Sequence, residues 1–264
     1  MPSLGIALVT SLVLTLILVL ANERWNLLAS DRFPSALARW VAYGWFGLLV
    51  FIVSALVSQS SAAAGAIDLS AVSFWSLFSL HVLLLLFLAG WWILTGRPPV
   101  SRFINLVPGT LKHSVVLGVG VGVAGWMLTI AIALGVGAAL NAAGMLPDDL
   151  RPSPVIPWMA ALPVWKKSLI ILSAMTIEEA FFRGWMQKRF GLVVSTILFA
   201  ISHAGYGQPL LLVGVTVVSA VIGYTFYRTR NLWPCIIAHG VFDAIQLFVV
   251  VPIVLQASGV GAPP

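Results

Sequence analysis

Two adjacent glutamates, Glu178 and Glu179, lie in the middle of the apolar stretch SLIILSAMTIEEAFFRGWMQ (168–187). One ionised carboxylate at mid-membrane costs roughly 2.5–3.5 kcal/mol on insertion scales, so residues of this kind mark function. Arg183 follows the second glutamate by four residues, FAISH (199–203) carries His203, and HGVFD (239–243) carries His239 and Asp243. On a helix, residues four apart share a face, so Glu179 can pair with Arg183 while Glu178 points about 100° away. The same spacing aligns His239 with Asp243. One carboxylate can then be held ionised while its neighbour does chemistry.

A carboxylate beside a neutral imidazole can deprotonate water, and a second histidine with a hydrogen-bonding partner can donate to the oxyanion of a tetrahedral intermediate. These are the parts of an amide hydrolase that uses no covalent nucleophile. Ser202 and His203 are neighbours along one helix and point in different directions, so no serine triad is expected. H-E-x-x-H is absent from the sequence, which removes the usual zinc-protease helix. A zinc site from Glu178, His203 and His239 remains open at this stage, as does a purely structural Glu179–Arg183 pair. Taken jointly, the six groups favour a functional site.

The elements that must position these groups are membrane helices. Of 264 residues, 60% are hydrophobic and 8% charged, against about 25% charged in a soluble domain. The apolar residues come in long runs rather than alternating ten-residue segments, which excludes a β-barrel. The expected fold is an all-α polytopic integral membrane bundle of about eight transmembrane helices, near 4–21, 40–57, 71–94, 114–140, 168–187, 192–207, 209–227 and 232–255. The first run reads as a span rather than a signal peptide, since no Lys or Arg precedes it. Residues 1–264 are read as one membrane domain, with accessory spans in 1–140 and a catalytic core in 168–250. At 1.5 Å per residue, Glu178, His203, His239 and Asp243 all fall about 12–18 Å inward from the same side.

The net charge of +6 comes from short basic clusters flanking apolar runs. That is a topology signal rather than a nucleic-acid footprint, and it places both termini outside. Cys235, the single cysteine, can form no internal disulfide and reads as a core residue. Gly118 and Gly122 form a small-xxx-small pair suited to close helix packing. The proline-rich stretch 141–167 reads as a lid over the site or as a linker on the membrane surface.

The three blocks EEAFFR (178–183), FAISH and HGVFD resemble the E-E-x3-R, F-x3-H and H-x3-N/D motifs of the CAAX prenyl endopeptidase and bacteriocin-processing family of intramembrane proteases. The resemblance covers about residues 168–250. It implies that Glu178, helped by His203, activates water, that His239 and Asp243 stabilise the oxyanion, and that Glu179 and Arg183 orient the site. It also implies metal-independent hydrolysis without a cofactor, with zinc at Glu178, His203 and His239 as the alternative. The expected partners are a peptide or protein substrate, lipidated or not, and membrane lipid, and the expected compartment is a prokaryotic inner membrane. Asp243 stands where the prenyl-protein enzymes have Asn, so it either donates as a protonated acid or orients His239. The other readings are a non-proteolytic immunity or scaffold protein of the same family, and a proton-coupled transporter.

Overall fold

The computed structural model describes residues 2–29, 31–62, 73–145, 155–204 and 209–257, and among these there is no strand. The chain divides into two compact units, Met1–Phe103 and Ile104–Pro264.

The first unit consists of α1 (Pro2–Trp25), α2 (Ala36–Ala62), a 3₁₀ turn (Phe74–Phe78) leading into α3 (Ser79–Leu94), and the short α4 (Val100–Phe103). Polar side chains within the apolar helices are spent on contacts between them. Ser11 donates to the carbonyl of Gly47 at 2.6 Å, and Asn22 donates to the hydroxyl of Tyr43 at 2.9 Å. Such pairing is what an apolar solvent demands of every polar group.

The second unit comprises α5 (Leu111–Ala142), α6 (Val155–Ala161), α7 (Val164–Ser173), α8 (Lys188–Ser202), α9 (Pro209–Thr229), α10 (Trp233–Ile245) and α11 (Val251–Ala257). Two π-helical segments, Ala174–Glu178 and Ala180–Gln187, continue α7, and a third, Gln246–Val250, joins α10 to α11. The long π stretch begins where Thr176 donates its hydroxyl to the carbonyls of Leu172 and Ser173 at 2.6 and 3.3 Å. That back-bonding competes with the backbone ladder and eases the widening of the turn. Wide turns of this type concentrate at functional sites, and this one carries Glu178, Glu179 and Arg183.

Among the described residues six helices are long and apolar enough to cross a membrane: Leu4–Trp25, Ala36–Val57, Phe74–Leu94, Leu111–Ala142, Leu210–Thr229 and Trp233–Ala257. Integral membrane character is thus retained, and these helices correspond to six of the eight expected spans. The fifth expected span, 168–187, is divided between α7 and two π-helical segments and carries Glu178, Glu179 and Arg183. The sixth, 192–207, is short: it starts after a break at Gly191, whose φ of 81° and ψ of 174° are accessible to glycine and strained for other residues, and its helix ends at Ser202. The turn expected to join the sixth and seventh spans lies outside the described residues, as does the middle of the proline-rich stretch.

α5 falls within the expected accessory part, yet it packs in the second unit against α10 and α9. Its glycines permit this. A Cβ on Gly118 would lie 2.6 Å from Ile237 Cβ, and one on Gly122 would lie 2.7 Å from the carbonyl oxygen of Ala238. Gly120, two residues from each, faces open space. Gly122→Val therefore forces α5 and α10 apart and costs about 1–3 kcal/mol, whereas Gly120→Ala is neutral or stabilises by about 0.5–1 kcal/mol. Thermal unfolding of the two variants in detergent checks this ordering.

Candidate active site

The site forms where the π-helical continuation of α7 meets α8, α9 and α10. Its centre is Glu179, which is 0% exposed. Arg183 Nη1 donates to Glu179 Oε1 at 2.7 Å, and His239 Nδ1 stands 2.8 Å from the same oxygen. A carboxylate oxygen accepts, so His239 carries its hydrogen on Nδ1. The other ring nitrogen, Nε2, is 3.3 Å from Asp243 Oδ2. His239 is therefore held between two carboxylates, one fully buried and one 28% exposed. The contact with Asp243 serves either expected role, because a protonated acid donates to Nε2 and a carboxylate accepts from it.

Arg183 spends its second arm on α9, where Nη2 donates to the carbonyl and hydroxyl oxygens of Ser219 at 3.1 and 3.0 Å. Its guanidinium also lies 4.7 Å from the centroid of the Phe199 ring, a cation–π contact strengthened by the burial of Arg183. His203 stacks on that ring at 4.6 Å, and His239 meets it edge-on at 6.0 Å. Phe199 thus forms the hinge of aromatic and cationic contacts that joins the three motif segments.

His203 Nδ1 is 2.8 Å from the carbonyl of Phe199. A carbonyl only accepts, so Nδ1 bears the hydrogen and, in a neutral ring, Nε2 is the acceptor nitrogen. Ser202 Oγ approaches the same Nδ1 at 3.1 Å but donates its own hydrogen to Phe199 O at 2.7 Å. That arrangement does not activate a serine nucleophile, in line with the sequence expectation. Glu178 is half-buried beside the fully buried Glu179, so the two neighbouring carboxylates sit in different surroundings.

Among the described residues no group of three or more His, Cys, Asp or Glu is arranged to hold a metal ion, the set Glu178, His203 and His239 included.

Residues 160–245 match the family described as type II CAAX prenyl endopeptidase Rce1-like. The chain is also similar to the uncharacterized protein YpbD of Bacillus subtilis (strain 168), 36% identical over 69 residues. That likeness covers 26% of this chain and 36% of YpbD, so the chain spans about a third of that relative's length. No solved structure matches the chain. The Rce1-like match brackets every helix that contributes to the Glu179 cluster and agrees with the resemblance carried by the three motif blocks.

Two contributors to the Glu179 cluster were not singled out by the sequence. Ser219 is 1% exposed, and its one signal is a hydroxyl inside the apolar run VGVTVVSAVIGY. Phe199 belonged to a motif, but nothing in its residue type foretold that Arg183, His203 and His239 would all converge on its ring. Cys235, read as core, is 0% exposed with its thiol near the carbonyls of Ile222 and Asn231.

Removing one member of a buried charge pair strands the other and costs about 3–5 kcal/mol. Arg183→Met alone is expected to lose that amount in denaturant unfolding in detergent. The double variant Glu179→Gln/Arg183→Met should lose clearly less than the two single losses combined. Strict additivity would mean that the two groups are not coupled.

Proposed function

We propose that the chain is an intramembrane endopeptidase in which a water activated by Glu178 attacks a peptide bond directly. The observation that carries this reading is the difference in surroundings between neighbouring glutamates. Glu179 is fixed by Arg183 and His239 at 2.7 and 2.8 Å, while Glu178 is half-buried at the same site.

In this scheme Glu178 takes a proton from water, assisted by His203 through Nε2, and the resulting hydroxide adds to the carbonyl carbon of the substrate. Negative charge develops on the former carbonyl oxygen, and His239 with Asp243 donates to it. The proton held by Glu178 then passes to the departing amine as the C–N bond breaks. Glu179 and Arg183 act as positioning residues: they set the orientation of His239 and hold α9 and the Phe199 ring in place. Preorganised donors of this kind need no reorganisation during the reaction, which is where most of their effect arises. The reaction as proposed uses neither metal nor cofactor. The substrate is a membrane-associated peptide or protein, lipidated or not, and the site lies in a prokaryotic inner membrane.

Purified protein in detergent, incubated with a quenched peptide library, should cleave, and cleavage should survive a metal chelator. Glu178→Gln should lower the rate by at least about a hundredfold, the usual scale for loss of a general base, with unfolding close to that of the wild type. Chelator-sensitive cleavage would return Glu178, His203 and His239 to the role of metal ligands. A folded wild type that cleaves nothing would favour the immunity or scaffold reading.

A further inference from the structure

The second unit holds another built feature, between α5 and α9. An open groove of about 550 Å³ runs along these helices, walled by Leu117, Val121 and Ala124 from α5 and by Ala220, Tyr224 and Arg228 from α9. Each trio follows the spacing of one helical stripe, and the wall is mostly apolar, with Thr225, Arg228 and Thr229 toward one end. The size falls within the range of pockets that hold small ligands.

The two stripes run from the same end of the unit. Asn231, just beyond α9, donates to Thr110 Oγ1 at 3.0 Å and to Ser114 Oγ at 3.1 Å. The start of α5 therefore lies beside the end of α9. Lys112, Arg228 and Arg230 are all exposed at this end. Arg228 donates to the hydroxyl of Tyr224 at 3.0 Å, and Arg230 lies 5.4 Å from the Tyr227 ring. These contacts orient the guanidinium groups without neutralising them. The first turn of α5 contains no acid and Thr110 makes no side-chain cap, so its positive dipole end adds to the same field.

No carboxylate of the described part of this unit answers that charge. Its acids are Glu178, Glu179 and Asp243, and these belong to the cluster around His239. The described residues of this unit therefore leave that basic end open to an anionic ligand. The adjoining surface is apolar and open, with Val116 75%, Tyr224 51% and Tyr227 54% exposed. A ligand that satisfies both halves of the feature carries a hydrocarbon chain and a net negative headgroup.

We infer that the groove between α5 and α9 is a binding site for an anionic phospholipid, with an acyl chain on the Leu117–Val121–Ala124 stripe and the phosphate at Arg228, Arg230 and Lys112. Basic pockets between membrane helices recognise such headgroups by charge and hydrogen bonding. The site is separate from the Glu179 cluster and does not rest on the peptidase reading.

The test is native mass spectrometry of the full-length chain released from detergent, titrated in separate runs with phosphatidylglycerol, phosphatidylcholine and inorganic phosphate. Phosphatidylglycerol should bind, and phosphatidylcholine with the same acyl chains should bind at least about tenfold more weakly. Arg228→Gln/Arg230→Gln should weaken phosphatidylglycerol by about thirtyfold, from the usual contribution of two basic residues at an anionic surface. Ala124→Trp, which fills the groove from its exposed side and leaves the basic end intact, should weaken it as well. The inference is overturned if phosphatidylcholine binds equally, if neither variant changes binding, or if inorganic phosphate binds as tightly as the lipid.

Discussion

A buried carboxylate must have its charge answered by the protein, and here one oxygen atom does most of the organising. Glu179 Oε1 receives Arg183 at 2.7 Å and His239 at 2.8 Å. Arg183 in turn holds Ser219 of α9 and covers the ring of Phe199 on α8. Four helical segments are thus tied to one charge. In a medium without water the alternative is a bare carboxylate or a bare guanidinium, each costly by several kcal/mol. The arrangement specifies how α8, α9 and α10 meet the π-helical segment far more strictly than apolar packing would, since hydrocarbon side chains tolerate repacking.

The same constraint explains why the catalytic proposal falls on Glu178. Adjacent residues on a helix diverge, so a segment that commits Glu179 to the interior cannot commit Glu178 to the same partners. The wide turns from Ala174 to Gln187 place this divergence next to His239 and Asp243. On the far side, Gly118 and Gly122 let α5 approach α10 closely enough to support the helix that presents His239. Positioning is therefore distributed: small residues behind α10, an ion pair in front of it, and an aromatic ring between the two histidines.

The spacing of the motifs was legible because it is a property of helices. Residues four apart meet on one face, and the structure pairs Glu179 with Arg183 and His239 with Asp243 as that rule requires. The all-helical membrane character was equally legible from long apolar runs. Less legible was the form of the fifth expected span, because hydropathy does not register that α7 passes into π-helical turns at Ala174. The grouping of α5 with the motif helices was hidden as well, since the glycine pattern announces a close contact but not the partner. Ser219 and the central use of Phe199 depended on tertiary proximity, for which one serine in an apolar run and one phenylalanine among fourteen give no local signal.

The central claim is that water, rather than a protein side chain, attacks the peptide carbonyl. Its most direct test is a single turnover, with enzyme in excess over peptide, in water enriched in heavy oxygen. The account predicts that the first cleaved peptide already carries one solvent oxygen in its new carboxylate and that Glu178 stays unlabelled. A first product with ordinary oxygen, together with heavy oxygen appearing in a glutamate of the EEAFFR segment, would show a covalent acyl intermediate and contradict the account.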